Sequence, residues 1–509
     1  MAPAPPGRKD ISGFLGYIVY HILQAWRRYT RDKSFGDAHG CLPMKTWIPY
    51  RWPLGLDILK RQYDALPEQR LLLFQSQYFE KLGPNMTFNI FGKQGYITAD
   101  PENIKSILST HFEDWCLGSR RRGLMPMLGK GIFTQDDREW MNSRRLLGIQ
   151  FKNIHVQDCK VFDEHVTELI RKIHGKIRPR GGLVDLQPFF FRLTLATTTA
   201  LIFGEEVSHS TAMLDEFEKA FDYASYVSAI RLRLADLEWI WKPAKFTAAC
   251  AVVKGYADHF VQTALHDRHR HGEKQALEKH GFILTLFEEL QDPVLVRDQL
   301  VHLMIAGRDT TACLLSWVFF LLVRHPEALE ELRKEIRDKT DNFGELSRAG
   351  ISKMQYLRCV INETHRLYPQ LPVNVRVASR TTFIPKGGGS DGKSPVLIPE
   401  GTGVGYSVYH MHRSKSLYGE DANSFRPERW LGPELKSIGW GFMPFSRGPR
   451  ACLGMDFALT EASYAIVRII KEFPTLRLPP EMPIVPPGEE RQILTIVVRS
   501  AEGCKVLLN

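Results

Sequence analysis

The stretch NMTFNIFGKQGYITADPENIKSILSTHF, from Asn85, alternates apolar and polar residues at its start and changes period after Asp100-Pro101. The first part predicts two short strands, and the second a helix whose first turn takes proline. The centre of the chain is mainly helical in pattern. Its longest helical run lies between Pro293 and His325, on the order of 50 Å long at 1.5 Å per residue. The second half, ACLLSWVFFLLV, is continuously apolar, too short for a bilayer span but suited to crossing a protein core. Pro326 ends that run and begins the next helix. Beyond residue 370 strand-like runs return as NVRVASRTTFIP, PVLIP and GTGVGYSVYHM, before a last helix after Cys452. The pattern predicts a mainly α domain with a smaller β-rich subdomain packed on it.

Ahead of this, Ile11 to Trp26 (ISGFLGYIVYHILQAW) is apolar with polar interruptions and runs into the basic RRYTRDK. It is shorter than the ~20 apolar residues a bilayer needs, and it carries His21 and Gln24. Three placements fit: a short spanning helix with a cytosolic basic flank, a helix lying in the interface, or the first helix of the soluble fold. Membrane association is the expectation, with residues 1–32 as the associating segment and 33–509 as one folded domain. The glycine-rich PKGGGSDGKSP (Pro385 to Pro395) lies between strand-like runs and reads as an insertion in a hairpin, not a linker.

Composition adds three constraints. With 44% hydrophobic and 24% charged residues and no low-complexity tract, a packed core is expected. A formal charge of +10 favours anionic partners. Acids are interleaved with the bases and no recognition motif accompanies them, which argues against nucleic acid and leaves a phospholipid surface or an acidic protein face. The cysteines, at 41, 116, 159, 250, 313, 359, 452 and 504, stand far apart without a CxxC pair. Neither a zinc site nor a disulfide framework is expected, and the compartment is reducing.

Four segments carry candidate chemistry. In MIAGRDTTA (Met304 to Ala312), Gly307, Asp309 and Thr310 stand where a buried helix should be apolar. A threonine there can bond back to the carbonyl of Ala306 and loosen the helical ladder. An acid beside a hydroxyl makes a proton relay, with a tolerated polar pair as the plain alternative. In INETHRLYP, Glu363 and Arg366 stand three apart and can pair, and NSFRPERW offers Arg429 to the same carboxylate. An exposed pair of this kind would contribute little. In FMPFSRGPRACLGMDF, Cys452 lies between Gly448 and Gly454, after Arg450 and before a helix. The helix N-terminus and the arginine favour a thiolate, suited to nucleophilic attack or to a soft metal. No histidine in the loop supplies a base. HDRHRH (266–271) reads as a solvated charge run, YHMHR as a poor ligand pair, and GTGVG lacks the spacing of a dinucleotide fingerprint.

AGRDTT (306–311), ETHR (363–366), FRPERW (425–430) and FSRGPRACLG (445–454), in this order, resemble the signatures of the cytochrome P450 family of haem-thiolate monooxygenases. The last meets F-x-x-G-x-R-x-C-x-G at Phe445, Gly448, Arg450, Cys452 and Gly454. The resemblance extends from about residue 40 to the end. It implies haem b between the long helix and the cysteine loop, with Cys452 as axial ligand of the iron. Phe445, Gly448 and Gly454 would shape its surroundings. Arg450, Arg376 of PVNVR, and Trp140 with Arg144 of WMNSR would serve the propionates. Asp309 and Thr310 would deliver protons to O₂, Ala306 and Gly307 would leave it room, and Arg308 has no role. Glu363, Arg366 and Arg429 would form a structural triad.

The reaction so implied inserts one oxygen atom from O₂ into a C–H bond. Its electrons come from NADPH through a separate reductase, since no flavin segment follows, with cytochrome b5 as a candidate second donor. The implied location is the endoplasmic reticulum membrane, catalytic domain toward the cytosol. HRLYPQLPVNVRVASRTTFIPKGGGSDGKSPVLIPEGTGVGYSVYHMHR, WPLGLDI (52–58) and GKGIFTQDDREWMNSRRLL (129–147) resemble the fungal branch that hydroxylates n-alkanes and fatty acids at or near the terminal carbon. That implies a fatty acid, an alkane, or the alkyl chain of a polyketide or terpenoid in a specialised pathway. A reductase-independent isomerase or dehydratase and a non-catalytic haem sensor are the other outcomes; Asp309 and Thr310 speak against both.

Overall fold

In the computed structural model, which describes residues 9–154, 159–177, 182–203, 211–340 and 346–508, the chain begins with a 30-residue helix, α1 (Lys9–Ala38). This helix is continuous across residue 32, so the expected segment boundary falls inside it. Its C-terminal part is docked: Thr381 Oγ1 donates to Asp32 Oδ1 at 2.7 Å, and Gly36 packs against Leu397. Next come α2 (Leu56–Asp64) and α3 (Leu71–Leu82), then the predicted hairpin of β1 (Asn85–Ile90) and β2 (Lys93–Thr98). Helix α4 (Pro101–Lys105) takes Pro101 in its first turn, and the Asp100 carboxylate caps it by accepting from the N–H groups of Glu102 and Asn103.

After β3 (Trp115–Cys116) the helices accumulate: α5 (Ser119–Leu128), α6 (Asp137–Ile154), α7 (Lys160–Ile177), then, past β4 (Leu183–Asp185), α8 (Gln187–Phe203), α9 (Thr211–Leu234), α10 (Ala244–His271), α11 (Glu273–Leu290) and α12 (Pro293–Leu322). Pro326 opens α13 (Pro326–Thr340), and α14 (Arg348–Ser352) and α15 (Gln355–Leu367) complete the series. Strands then return as β5 (Val373–Ala378), β6 (Thr382–Gly388), β7 (Ser394–Ile398) and β8 (Gly403–Ser407). The glycine-rich insert is the bulged turn of the β6–β7 hairpin, with Gly387, Gly389 and Gly392 at positive φ. YHM, strand-like in sequence, instead forms α16 (Val408–Met411), because the Ser407 hydroxyl caps it at the N–H of His410. Helices α17 (Lys415–Tyr418) and α18 (Met455–Glu472) follow, and the tail adds β9 (Gln492–Leu494), β10 (Val498–Ser500) and β11 (Lys505–Leu507), which the sequence pattern did not reveal.

The main sheet runs β1-β2-β8-β5-β3, parallel only between β2 and β8. Helix α8, apolar on nearly every face, packs along α12, and both are buried. The second half of α12 shares a core with α7, α8, α15 and α18; its first half shares another with α5, α9, α10 and α11. Helix α12 is long and apolar enough to cross a membrane, but it is the core of the fold.

Two buried polar clusters hold this arrangement. Glu363 and Arg366 are fully buried, not an exposed pair, and Arg429 is nearly so. Arg366 grips Glu363 through two bonds of 2.9 and 2.8 Å, Arg429 Nε donates to the same carboxylate at 2.9 Å, and Trp430 Nε1 at 3.0 Å. Burial pushes the Glu363 carboxyl up, but the two arginines and the N–H of Arg426 outweigh it and hold it below its ordinary value.

The second cluster is Glu461 of α18, buried where α8, α12 and α18 meet. Its carboxyl accepts from Thr197, while Oε2 has no partner among the described residues. Burial raises its pKa to about 8, against the pull of the Thr197 and Thr311 hydroxyls. The acid is therefore neutral in the fold and ionised in the unfolded chain at neutral pH. Its contribution to stability is complete below the unfolded pKa and is lost as pH rises toward 8. Glu461→Gln removes that loss. Thermal melts from pH 5 to 9 should show the variant gaining on the parent by about 1–2 °C between pH 6 and 9, from 1–2 kcal/mol released. Parallel curves would contradict the assignment.

Candidate active site

The cysteine loop is built by hydrogen bonds within its own backbone. Cys452 N–H donates to Phe445 O at 2.9 Å and Ala451 N–H to Gly448 O at 3.0 Å. Gly448 has φ 73°, and a Cβ there would come within 2.0 Å of the Leu108 carbonyl oxygen, so this turn requires glycine. Gly454 caps α18, and the Phe445 ring meets His365 edge-on at 4.9 Å. Cys452 is the one exposed cysteine among the described residues. Protein atoms nonetheless surround the sulfur closely enough that burial pushes the thiol up, while the Gly454 N–H and the charge of Arg144 pull it down.

That distribution corrects one expectation. Arg144, not Arg450, is the cation acting on the thiol, and its Nη1 also donates to Ala451 O at 2.8 Å. Arg450 turns to Asp136 at 2.8 Å and lies over the buried Trp140 ring, 4.3 Å from its centroid. Arg376 of β5 bonds its own strand at Asn374 Oδ1 and Val375 O, and Arg120 of α5 reaches the same Asn374 Oδ1 at 2.6 Å. Burial and mutual repulsion hold Arg120 and Arg450 down at about 10. Arg120 was missed from sequence because SRRRG marks none of its three arginines.

On the opposing helix, every residue of α12 from Asp298 to Leu322 is buried except Ala306, Gly307 and Thr310. Those three share one face. Thr310 Oγ1 donates to Ala306 O at 2.6 Å, as its position predicts. Gly307 has a different explanation from the one expected: a Cβ there would lie 2.3 Å from Thr198 Oγ1, so the close approach of α8 demands it. Asp309 is buried, and its hydrogen bond goes to Arg308 at 2.8 Å, not to Thr310. Arg308, given no role from sequence, bridges Asp309 to Asp222 of α9 at 2.9 Å and lies between the rings of Phe191 and Phe221, 4.9 Å from each. Burial and Asp222 push the Asp309 carboxyl up against the pull of Arg308. A cleft of about 670 Å³, lined by Glu218, Asp222, Arg308 and Arg499, brings solvent to this ion pair.

These donors fit the haem that the resemblance implies. A single accessible sulfur suits a borderline-soft metal. Arg144 lies beside it, Arg120, Arg376 and Arg450 repel one another, and among the described residues only Arg450 of the four has an ion-paired acid, so two propionates would complete their charge balance.

The family model for cytochrome P450 matches residues 48–501. A cytochrome P450 of Arthroderma benhamiae is 40% identical over 506 residues, 97% of each chain. Cytochrome P450 52A5 of Candida maltosa is 42% identical over 424 residues, 79% of each. Cytochrome P450 monooxygenase g430 of a Fusarium species is 39% identical over 480 residues, 90% of this chain and 83% of that one. The chain therefore belongs to the cytochrome P450 family, the haem-thiolate monooxygenases.

Proposed function

We propose that this monooxygenase hydroxylates a long apolar chain, a fatty acid, an alkane or an alkyl-bearing metabolite, at the accessible face of α12. The observation that carries this reading is that, from Asp298 to Leu322 of α12, only Ala306, Gly307 and Thr310 are not buried, beside an apolar cluster of Leu303, Met304, Ile305 and the partly buried Phe133 and Ile496. Cys452 would supply the thiolate that ligates the haem iron, and Arg120, Arg144, Arg376 and Arg450 would hold the propionates. Haem, when bound, supplies the iron centre at which O₂ is activated. Thr310 provides a hydroxyl at that face. Asp309 is the acid that exchanges protons, and Arg308, which lines the cleft and pairs with both Asp309 and Asp222, positions its carboxyl beside that solvent. Two electrons from NADPH arrive through a separate reductase drawn to the basic surface, with cytochrome b5 as a second donor.

With NADPH, a fungal reductase and ¹⁸O₂, C12 to C18 chains should yield an alcohol carrying one ¹⁸O. Thr310→Ala should lower product per NADPH about tenfold or more while NADPH consumption persists. Turnover without NADPH would instead favour an isomerase.

The same reading places the enzyme on the endoplasmic reticulum membrane, catalytic domain toward the cytosol. Helix α1 leaves Tyr17, Val19, Tyr20, Ile22, Leu23, Trp26 and Tyr29 exposed. A second exposed apolar group gathers Trp52, Leu54, Phe91, Trp239 and Ile240: Phe91 N–H bonds Leu54 O at 2.9 Å, and Lys93 pairs with Asp236 at 3.2 Å. Patches of this kind mark interaction sites, and their aromatics suit a lipid interface. Trp239→Ser with Ile240→Ser should reduce co-flotation with phosphatidylcholine vesicles by roughly threefold or more when α1 is also replaced by a polar helix. Unchanged flotation would remove the second patch from the membrane contact.

A further inference from the structure

The last turn of α9 carries two arginines with different surroundings. Arg231 is buried and donates to the carbonyls of Gly123, Glu238 and Trp241, which fixes the path from α9 toward α10. Arg233 donates only to Leu494 O, at the end of β9. Among the described residues no acid pairs with it. The nearest acids along the chain are engaged elsewhere, Asp236 with Lys93 and Arg122, and Glu238 with Arg122. Burial therefore lowers the Arg233 pKa with only the phenols of Tyr63 and Tyr226 opposing it. Tyr226 stands seven residues before Arg233, on the same face of α9, and is half exposed. Tyr63, in α2, has a buried hydroxyl with no hydrogen-bond partner among the described residues. Burial holds that phenol above its ordinary pKa, so it stays an O–H donor.

The backbone ties these groups to the substrate side of α12. Gln492 N–H of β9 bonds Gln69 O, just past α2, at 2.7 Å. Ile496, in the turn between β9 and β10, packs against the apolar cluster that contains Leu303, Met304 and Ile305. A half-buried cation without a counter-ion, flanked by two phenols and joined to the apolar cluster by one hairpin, is a recognition site for a small anion at the end of an apolar chain.

We propose that Arg233, with the hydroxyls of Tyr63 and Tyr226, binds the carboxylate head group of the substrate, so that its chain runs along the β9–β10 hairpin toward Ala306 and Thr310. The proposal rests on the apolar-chain reading above and narrows it to acids.

The test compares hexadecanoic acid with its methyl ester on the haem-loaded full chain, by equilibrium dialysis and by the Soret shift on binding. The parent should bind the acid about tenfold or more tightly than the ester, and Arg233→Gln should lose that preference while ester affinity stays within about twofold. Equal binding of acid and ester by the parent, or an unchanged ratio in Arg233→Gln, overturns the head-group site but leaves the apolar-chain reading standing. Failure of the parent to bind either ligand overturns the apolar-chain reading itself. Should Arg233→Gln not accumulate as folded protein, Tyr63→Phe decides: a loss of about threefold for the acid alone supports the site, and equal losses overturn it. Reduced flotation of Arg233→Gln on anionic vesicles with an unaltered acid-to-ester ratio assigns the cation to a phospholipid head group and likewise overturns the proposal.

Discussion

The buried carboxylate of Glu363 is the constraint on which the catalytic geometry depends. It anchors Arg366 and Arg429, and those guanidiniums in turn reach the backbone carbonyls of His412, Tyr418, Asp421 and Ser424. That stretch contains little regular structure, so its carbonyls need donors from side chains. From there the order passes on. Tyr418 hydroxyl donates to Gly441 O at 2.8 Å, Met443 N–H to His412 Nε2 at 3.1 Å, and Phe445 receives the N–H of Cys452. Removing one partner of such a buried cluster costs about 3–5 kcal/mol, far more than an exposed pair contributes.

The opposite wall is held differently. Helix α12 is fixed by apolar packing along its length, and α8 approaches so closely that Gly307 must lack a side chain and Thr194 can donate to Arg308 O at 2.7 Å. One rigid wall carries Thr310 and the other carries Cys452. Packing of this kind holds the side chains of a site in a fixed placement. The Arg308 bridge between Asp309 and Asp222 links this wall to α9, whose last turn bears Arg233.

Much of this was legible in the sequence, and the failures have physical causes. Helix α12, the capped start of α4 and the glycine-rich hairpin follow from local period, capping and turn chemistry, which short stretches encode. The cysteine loop is legible because glycine, arginine and thiol are all rare demands at fixed spacing. Spacing could not reveal that Glu363 is fully buried, because burial is set by elements far along the chain. Arg120 and Arg308 were passed over for the same reason: their partners, Asn374 and Asp222, lie 254 and 86 residues away. The misread strand at YHM shows one serine cap outweighing strand propensity. Of the short tail strands, β11 pairs with the distant β4 and β9 with the adjacent β10, and all three carry too few residues to show a period.

The central claim is that Cys452 binds the haem iron as a thiolate in a site otherwise set by arginines and α12. The reduced, carbon monoxide-bound absorption spectrum measures it directly. The account predicts the red-shifted Soret band of thiolate ligation in the parent chain and its loss in Cys452→Ser with the fold retained. A parent spectrum without that band, or a Cys452→Ser spectrum indistinguishable from it, would contradict the account.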